Sequence, residues 1–220
     1  CDGNQLDVLG VCGGGCLGDY DGDGVCDEYV PGACNNLDTW EYYDYSYDLI
    51  EIGGRCWFKQ DLRTEFYANG DSIPHGISNN DWVDFGAEHI GAWAVSEGFE
   101  YNGNVYNWYA VNDQRGLCPS GWVVPSRNNY MNLVDTALVN SPSGENDTWR
   151  AAQTLKANDL WNGLDLLGYT ATQTRRRISS GNWSLAHHYA WSSTFYDNLD
   201  SRLFYLPSSS NISDDLESLY

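Results

Sequence analysis

The chain has 220 residues, 42% of them hydrophobic, which is enough to bury one full core with residues left over for a small appended module. Its 31 acidic side chains against 11 basic ones give a formal charge of -20, which repels nucleic-acid phosphates and anionic lipid surfaces and excludes nucleic-acid binding as a function class. No hydrophobic run approaches the roughly 20 residues of a membrane span.

The acidity is uneven, since residues 1–54 carry 12 carboxylates and no Lys or Arg. Cysteine is uneven too. Cys1, Cys12, Cys16, Cys26 and Cys34 crowd the N-terminus, while Cys56 and Cys118 stand alone downstream. Such crowding reads as a disulfide framework and implies an oxidising compartment, extracellular or at the cell surface. Zinc is the weaker reading, because no CxxC pair occurs and no histidine precedes His75. With seven cysteines, one thiol is left unpaired or is paired beyond this chain. There is no signal peptide and the first residue is a cysteine, which reads as a processed or fragmentary N-terminus.

In chain order, residues 1–34 are glycine-rich and poor in large aliphatics, so covalent and metal cross-links must hold them. The run Asp19-Tyr-Asp21-Gly-Asp23-Gly24-Val25-Cys-Asp27-Glu28 places carboxylates at the first, third, fifth and ninth positions of an EF-type loop, with glycine at the sixth. Calcium needs six to eight oxygens, and alternate side chains converge on one ion only if the backbone turns sharply, as Gly24 permits. The Val25 carbonyl is the expected seventh-position ligand. Val30 occupies the place of the usual bidentate glutamate, so Asp27, Glu28 or a carboxylate from elsewhere must substitute. The plain alternative is a solvated acidic turn.

Residues 35–47 alternate acids with aromatics and read as a linker that merges into the first strand of a main domain near Tyr42. YSYDLIEIGGRCWF predicts a hairpin around Gly53-Gly54. Trp82–Gly103 lacks a clear period and is expected to form long surface loops, followed by an aromatic strand over Val105–Val111. After Pro125, the spacing of Tyr130, Leu133, Val134, Ala137 and Leu138 predicts a helix capped by Ser126, and TWRAAQTLKA predicts a second, shorter one. From Leu164 onward the pattern returns to short strands, through YAWSSTF and RLFYL. The fold class is therefore α+β.

Two resemblances follow from these segments. CDGNQLDVLGVCGGGC followed by DYDGDGVCDE resembles the calcium-binding, cysteine-containing repeats, similar to thrombospondin type 3 repeats, of large exported bacterial surface proteins, in which disulfides and calcium together stiffen a stalk. IGGRCWFKQDLRTEFYANGDSIP (52–74), VYNWYAV (105–111), GLCPSGWVVPS (116–126) and YAWSST (189–194) resemble the Fibrobacter succinogenes major paralogous domain over residues 42–220. That resemblance implies a variant of the C-type lectin fold. Family members continue with a last strand of the pattern G-F-S-V-R-C, before which this sequence stops at Tyr220. The expectation is an open sheet edge that invites a strand from another copy, as in donor-strand filaments.

Trp57, Trp108, Trp122 and Trp191 sit in strand-like segments and are expected in the core, each burying on the order of 200 Å2. A Cys56–Cys118 disulfide is the favoured pairing downstream. Trp82, Trp93, Trp149, Trp161 and Trp183 lie in Gly/Asn-rich stretches, and of these Trp82, Trp93, Trp161 and Trp183 are the candidates for stacking on sugar rings. The calcium-and-sugar triplets of C-type lectins, EPN or QPD with a later WND, are absent. No nucleophile elbow, HExxH, P-loop or dinucleotide motif occurs, and His187-His188 reads as a loop pair, so an enzyme is not expected. Asn146, Asn182 and Asn211 head sequons, which are expected to be chance matches if the source is bacterial. Asp71-Ser72-Ile73 and Asp135-Thr136-Ala137 resemble short bacterial O-glycosylation sites, with Ser72 preferred because Asp135 falls in the helix.

The sequence thus predicts an extracellular, calcium-stabilised structural or adhesive surface protein, with a non-catalytic carbohydrate-binding module as the alternative. The expected partners are further copies of the chain, cell-surface or matrix proteins, or carbohydrate.

Overall fold

The computed structural model describes residues 33–141, 148–158, 163–195 and 201–206. The EF-type loop, Cys1, Cys12, Cys16, Cys26, Trp161 and the sequons at Asn146 and Asn211 lie outside the described residues, as does the side chain of Trp149.

Small antiparallel sheets and helices alternate along the chain. Strands β1 (Thr39–Tyr42), β2 (Tyr45–Ile52) and β3 (Arg55–Phe58) form a meander in that order. The sheet therefore begins inside the segment expected to be a linker. Its β2–β3 turn is the one read at Gly53-Gly54: both glycines have positive φ, 62° and 73°, as a tight two-residue hairpin loop of the primed type requires. Gly53 is constrained a second time, since a Cβ there would meet Asn132 Oδ1 at 1.9 Å.

A helix, α1 (Asn79–Ala87), occupies part of the stretch expected to be loop. Ser78 and Asp81 form a reciprocal capping box at its start, which satisfies two backbone donors at once. Strands β4 (Trp93–Val95) and β5 (Asn104–Tyr106) then pair antiparallel. The aromatic strand expected over Val105–Val111 ends at Tyr106 and gives way to a helical turn, α2 (Trp108–Val111). Asn107 causes the break: its Oδ1 accepts from the amides of Ala110 and Ala92, and its Nδ2 donates to the Ile90 carbonyl. A side chain that caps a turn and also binds a second segment outcompetes the continuation of a ladder.

The long helix α3 (Arg127–Val139) follows its predicted pattern, with Ser126 at the N-cap and Tyr130, Leu133, Val134 and Ala137 buried. Helix α4 (Thr148–Leu155) packs on it, and the chain returns through β6 (His188–Phe195) and β7 (Ser201–Leu206), an antiparallel pair. The main core lies between these elements, where Trp57, Tyr130, Leu133, Leu155, Phe204 and Leu206 meet. A second cluster around Tyr67, Trp93 and Tyr106 carries the β4–β5 pair.

One disulfide occurs among the described residues, and it joins Cys34 to Cys56 across a sequence separation of 22. Cys118 is a free thiol, so the pairing expected between Cys56 and Cys118 is corrected. The reason is reach: Cys56 lies on β3, and the Cα atoms of Cys34 and Cys56 are 4.9 Å apart, within disulfide range. The bridge fastens the chain just before β1 to the first sheet.

Candidate functional site

A cavity of about 780 Å3 opens between the first sheet, α1, the Leu117–Pro125 segment, an extended ribbon and β6. Its volume falls within the roughly 300–1,000 Å3 of small-ligand sites. The tryptophans among its described lining residues are Trp82 and the four expected in the core, Trp57, Trp108, Trp122 and Trp191. Trp57 alone of the four is buried there, at 6% exposure, with Trp108, Trp122 and Trp191 half-buried along the walls. Trp108 and Trp191 stand with ring centroids 5.6 Å apart at 47°, and Trp122 stacks on Phe58 at 4.0 Å.

Each indole is held by the fold. The β6 register places Trp191 opposite Leu203, and its Nε1 donates to the Tyr106 carbonyl at 2.8 Å. The Tyr130 hydroxyl of α3 donates to the Trp191 carbonyl at 3.2 Å. Trp108 is the first residue of α2, so the Asn107 cap that ends the strand also sets the indole in the wall. Trp122 is braced from behind by Trp40 of β1, 5.7 Å away.

Of the candidates for sugar contact, Trp82 borders the cavity, while Trp93 and Trp183 are not among its described lining residues. Trp82 on α1 is 5% exposed and Trp93 on β4 is 7% exposed, the latter with Nε1 donating to the Ile73 carbonyl and His75 stacked over it at 3.9 Å. Neither is available to stack openly on a ligand, and both are corrected to core anchors, although an edge of Trp82 reaches the cavity wall. Trp183 is half-buried and packs with the Trp82 cluster. Ser72 is exposed, bridged to Phe66. His188 is not in a loop: it lies on β6, buried at 3% exposure, with Nδ1 3.0 Å from the Thr172 carbonyl.

The sequence reading missed the polar part of the site. Antiparallel bridges Thr174↔His187 and Arg177↔Trp183 fold residues 174–187 into a ribbon, which brings Arg175, Arg176 and Arg177 to the cavity. The signal was present as three consecutive arginines in a chain that has 11 basic residues. Ser96 pins the ribbon, its Oγ donating to the Arg175 carbonyl and accepting from the Arg175 amide. Arg177 donates to the carbonyls of Gly181 and Gly76 and to Asn79 Oδ1, with its guanidinium 5.1 Å from the Trp82 ring and 5.2 Å from the Trp183 ring. Burial lowers its pKa, against the pull of Asp81.

Asp61 is the one carboxylate among the described lining residues. Desolvation pushes its pKa up, with only the charges of His188 and Arg63 acting in the other direction. Cys118 lines the same cavity, and burial raises its thiol to about 12. No group of three or more His, Cys, Asp or Glu among the described residues is placed to hold a metal.

An α+β fold with an aromatic-walled groove and no helix long and apolar enough to cross a membrane, among the described residues, defines the class. The family model of the Fibrobacter succinogenes major domain matches residues 50–209, more than half of the chain, and the protein belongs to that family. No curated protein and no solved structure gives a significant match.

Proposed function

We propose that this chain is a non-catalytic, carbohydrate-binding adhesive module of an exported bacterial surface protein, with a calcium-stiffened Cys/Asp repeat at residues 1–34 and a lectin-like main domain. The observation that carries the reading is the groove of about 780 Å3 walled by Trp108, Trp122 and Trp191. Indole faces held half-exposed beside polar groups suit the apolar face of a sugar ring. The absence of a second lining carboxylate supports binding without cleavage, since glycoside hydrolysis ordinarily uses a pair and only Asp61 is present among the described lining residues. The cysteine framework supports an extracellular location.

A glycan array probed with the whole chain tests the proposal. Reproducible binding to a defined glycan class, lost in Trp108→Ala, supports it, and an array without any specific signal sinks it. Calcium is tested separately: chelation should lower the protease resistance of residues 1–34, and unchanged resistance refutes the ion's role. Assembly of copies through a sheet edge is a second proposal, favoured by β7 pairing with β6 alone among the described residues. Regular filaments in electron micrographs would support it, and dispersed monomers would dismiss it.

A further inference from the structure

Much of the hydrogen-bonding capacity around the groove is already in use within the fold. The indole N–H of Trp57 donates to the Ile52 carbonyl at 3.2 Å, and that of Trp191 to the Tyr106 carbonyl at 2.8 Å. The hydroxyls of Tyr106 and Tyr130 donate to the carbonyls of Thr64 and Trp191. Asn107 is bonded through both ends of its amide, and Gln60 both accepts from the Asp48 amide and donates to Asp48 Oδ2. All of these residues line the cavity. From that commitment, and resting on the carbohydrate reading above, we infer that the groove binds a neutral oligosaccharide of all-equatorial pyranoses by stacking on its ring faces, with the hydroxyls left in water.

A sugar hydroxyl pressed against a donor that is already bonded goes unpaired, and an unpaired buried polar group costs free energy. What the walls do provide is ring surface. Phe58 of β3, Trp122, Trp108 of α2 and Trp191 of β6 border one cavity of about 780 Å3, so a pyranose lying in it meets aromatic carbon from more than one element. A pyranose whose substituents are all equatorial shows only C–H bonds on both faces and carries its hydroxyls around the rim, where the open side of the groove keeps them hydrated. An axial hydroxyl instead sets an oxygen on one face, against carbon.

Charge points the same way. Arg177 donates to the Gly76 and Gly181 carbonyls and to Asn79 Oδ1, and the Arg176 guanidinium lies over the Tyr189 ring at 5.3 Å, so the structure shows these two cations engaged with the fold. Desolvation already disfavours the charged form of Asp61 in this enclosure. A charged sugar would give up its hydration on entering, a cost that neutral rings avoid.

The test is calorimetric titration of the whole chain with cellotriose and, in parallel, with β-linked mannotriose, each unit of which carries one axial hydroxyl. Cellotriose should bind about tenfold more tightly, the scale of one unpaired polar group. Its binding should show a negative heat-capacity change and should hold when salt is raised from about 0.05 M to about 0.5 M. Trp122→Ala should weaken it about tenfold, and Trp122→Phe, which keeps a ring but has no N–H, should recover part of that loss. Mannotriose binding as tightly as cellotriose, affinity that falls with salt, or equal losses in the two Trp122 variants overturns this inference and leaves carbohydrate binding standing. The sugar comparison and the salt series use the native chain, so they decide the matter even where a Trp122 variant fails to fold. Binding of neither trisaccharide overturns the inference too, and joined to an empty glycan array it removes the carbohydrate reading as well.

Discussion

Trp191 Nε1 donates to the carbonyl of Tyr106 at 2.8 Å across 85 residues of sequence, and this one bond ties β6 to the end of β5 along the groove. Both partners serve two purposes. Tyr106 is 6% exposed and its hydroxyl donates to the Thr64 carbonyl at 2.7 Å, while the Trp191 ring faces the cavity. Trp191→Phe keeps most of the apolar surface but leaves that carbonyl without its donor. The expected cost is about 1–2 kcal/mol in chemical unfolding, and a loss below the error of the measurement would show that the bond does not hold the wall.

The Cys34–Cys56 bridge closes a loop spanning 22 positions around β1 and β2. Chain-entropy arithmetic for a loop of that length gives about 3 kcal/mol. The double variant Cys34→Ala with Cys56→Ala should lose that much stability, and a reducing agent should lower the melting temperature of the native chain towards the variant's. Identical melting with and without reductant would contradict the assignment.

Alkali should unfold the protein before it would unfold a chain with unburied phenols and thiols. Burial raises the Cys118 thiol from its ordinary 9.0 to about 12, and raises the hydroxyls of Tyr42 and Tyr47 from 10.0 to about 12. A group whose folded value is raised contributes stability that is complete below its unfolded value and is lost as the pH climbs through the folded one. Stability should therefore begin to decline near pH 9 and fall progressively to pH 12, and Cys118→Ala should flatten the first part of that decline. By the same argument a thiol reagent at pH 8 should label Cys118 slowly in the folded protein and rapidly in denaturant.

Asp61 has a consequence of the same sign at lower pH. Its pKa is raised by desolvation, so folding favours the protonated acid, and the stabilising contribution present below the ordinary carboxylate range is lost once the pH passes the folded value. Asp61→Asn should therefore be more stable than the native chain at pH 7, with the difference shrinking towards pH 3. A variant less stable at pH 7 would mean that the carboxylate is held by favourable contacts after all.

The amino-acid pattern by itself determined the β2–β3 hairpin, the capped helix α3, the shorter helix α4 and the returning strands, because each rests on local chemistry: Gly53-Gly54 at positive φ, Ser126 as cap, apolar residues at helical spacing. The same local reading failed at α1 and α2. The capping box there is Ser78 with an aspartate rather than the commoner glutamate, and Asn107 ends a strand through bonds to Ile90 and Ala92, which neighbouring sequence does not announce.

Tertiary structure alone decided which tryptophans are buried and which are offered to a ligand. Local sequence reports that an aromatic sits in a strand or near glycines, but exposure depends on what the rest of the chain lays over it. Trp82 and Trp93 are covered by α1 packing and by His75, whereas Trp108, Trp122 and Trp191 border a space that no side chain fills. Charge followed the same logic: the total of -20 is a property of composition, while Arg175, Arg176 and Arg177 border the groove because the bridges Thr174↔His187 and Arg177↔Trp183 fold that segment into a ribbon beside it.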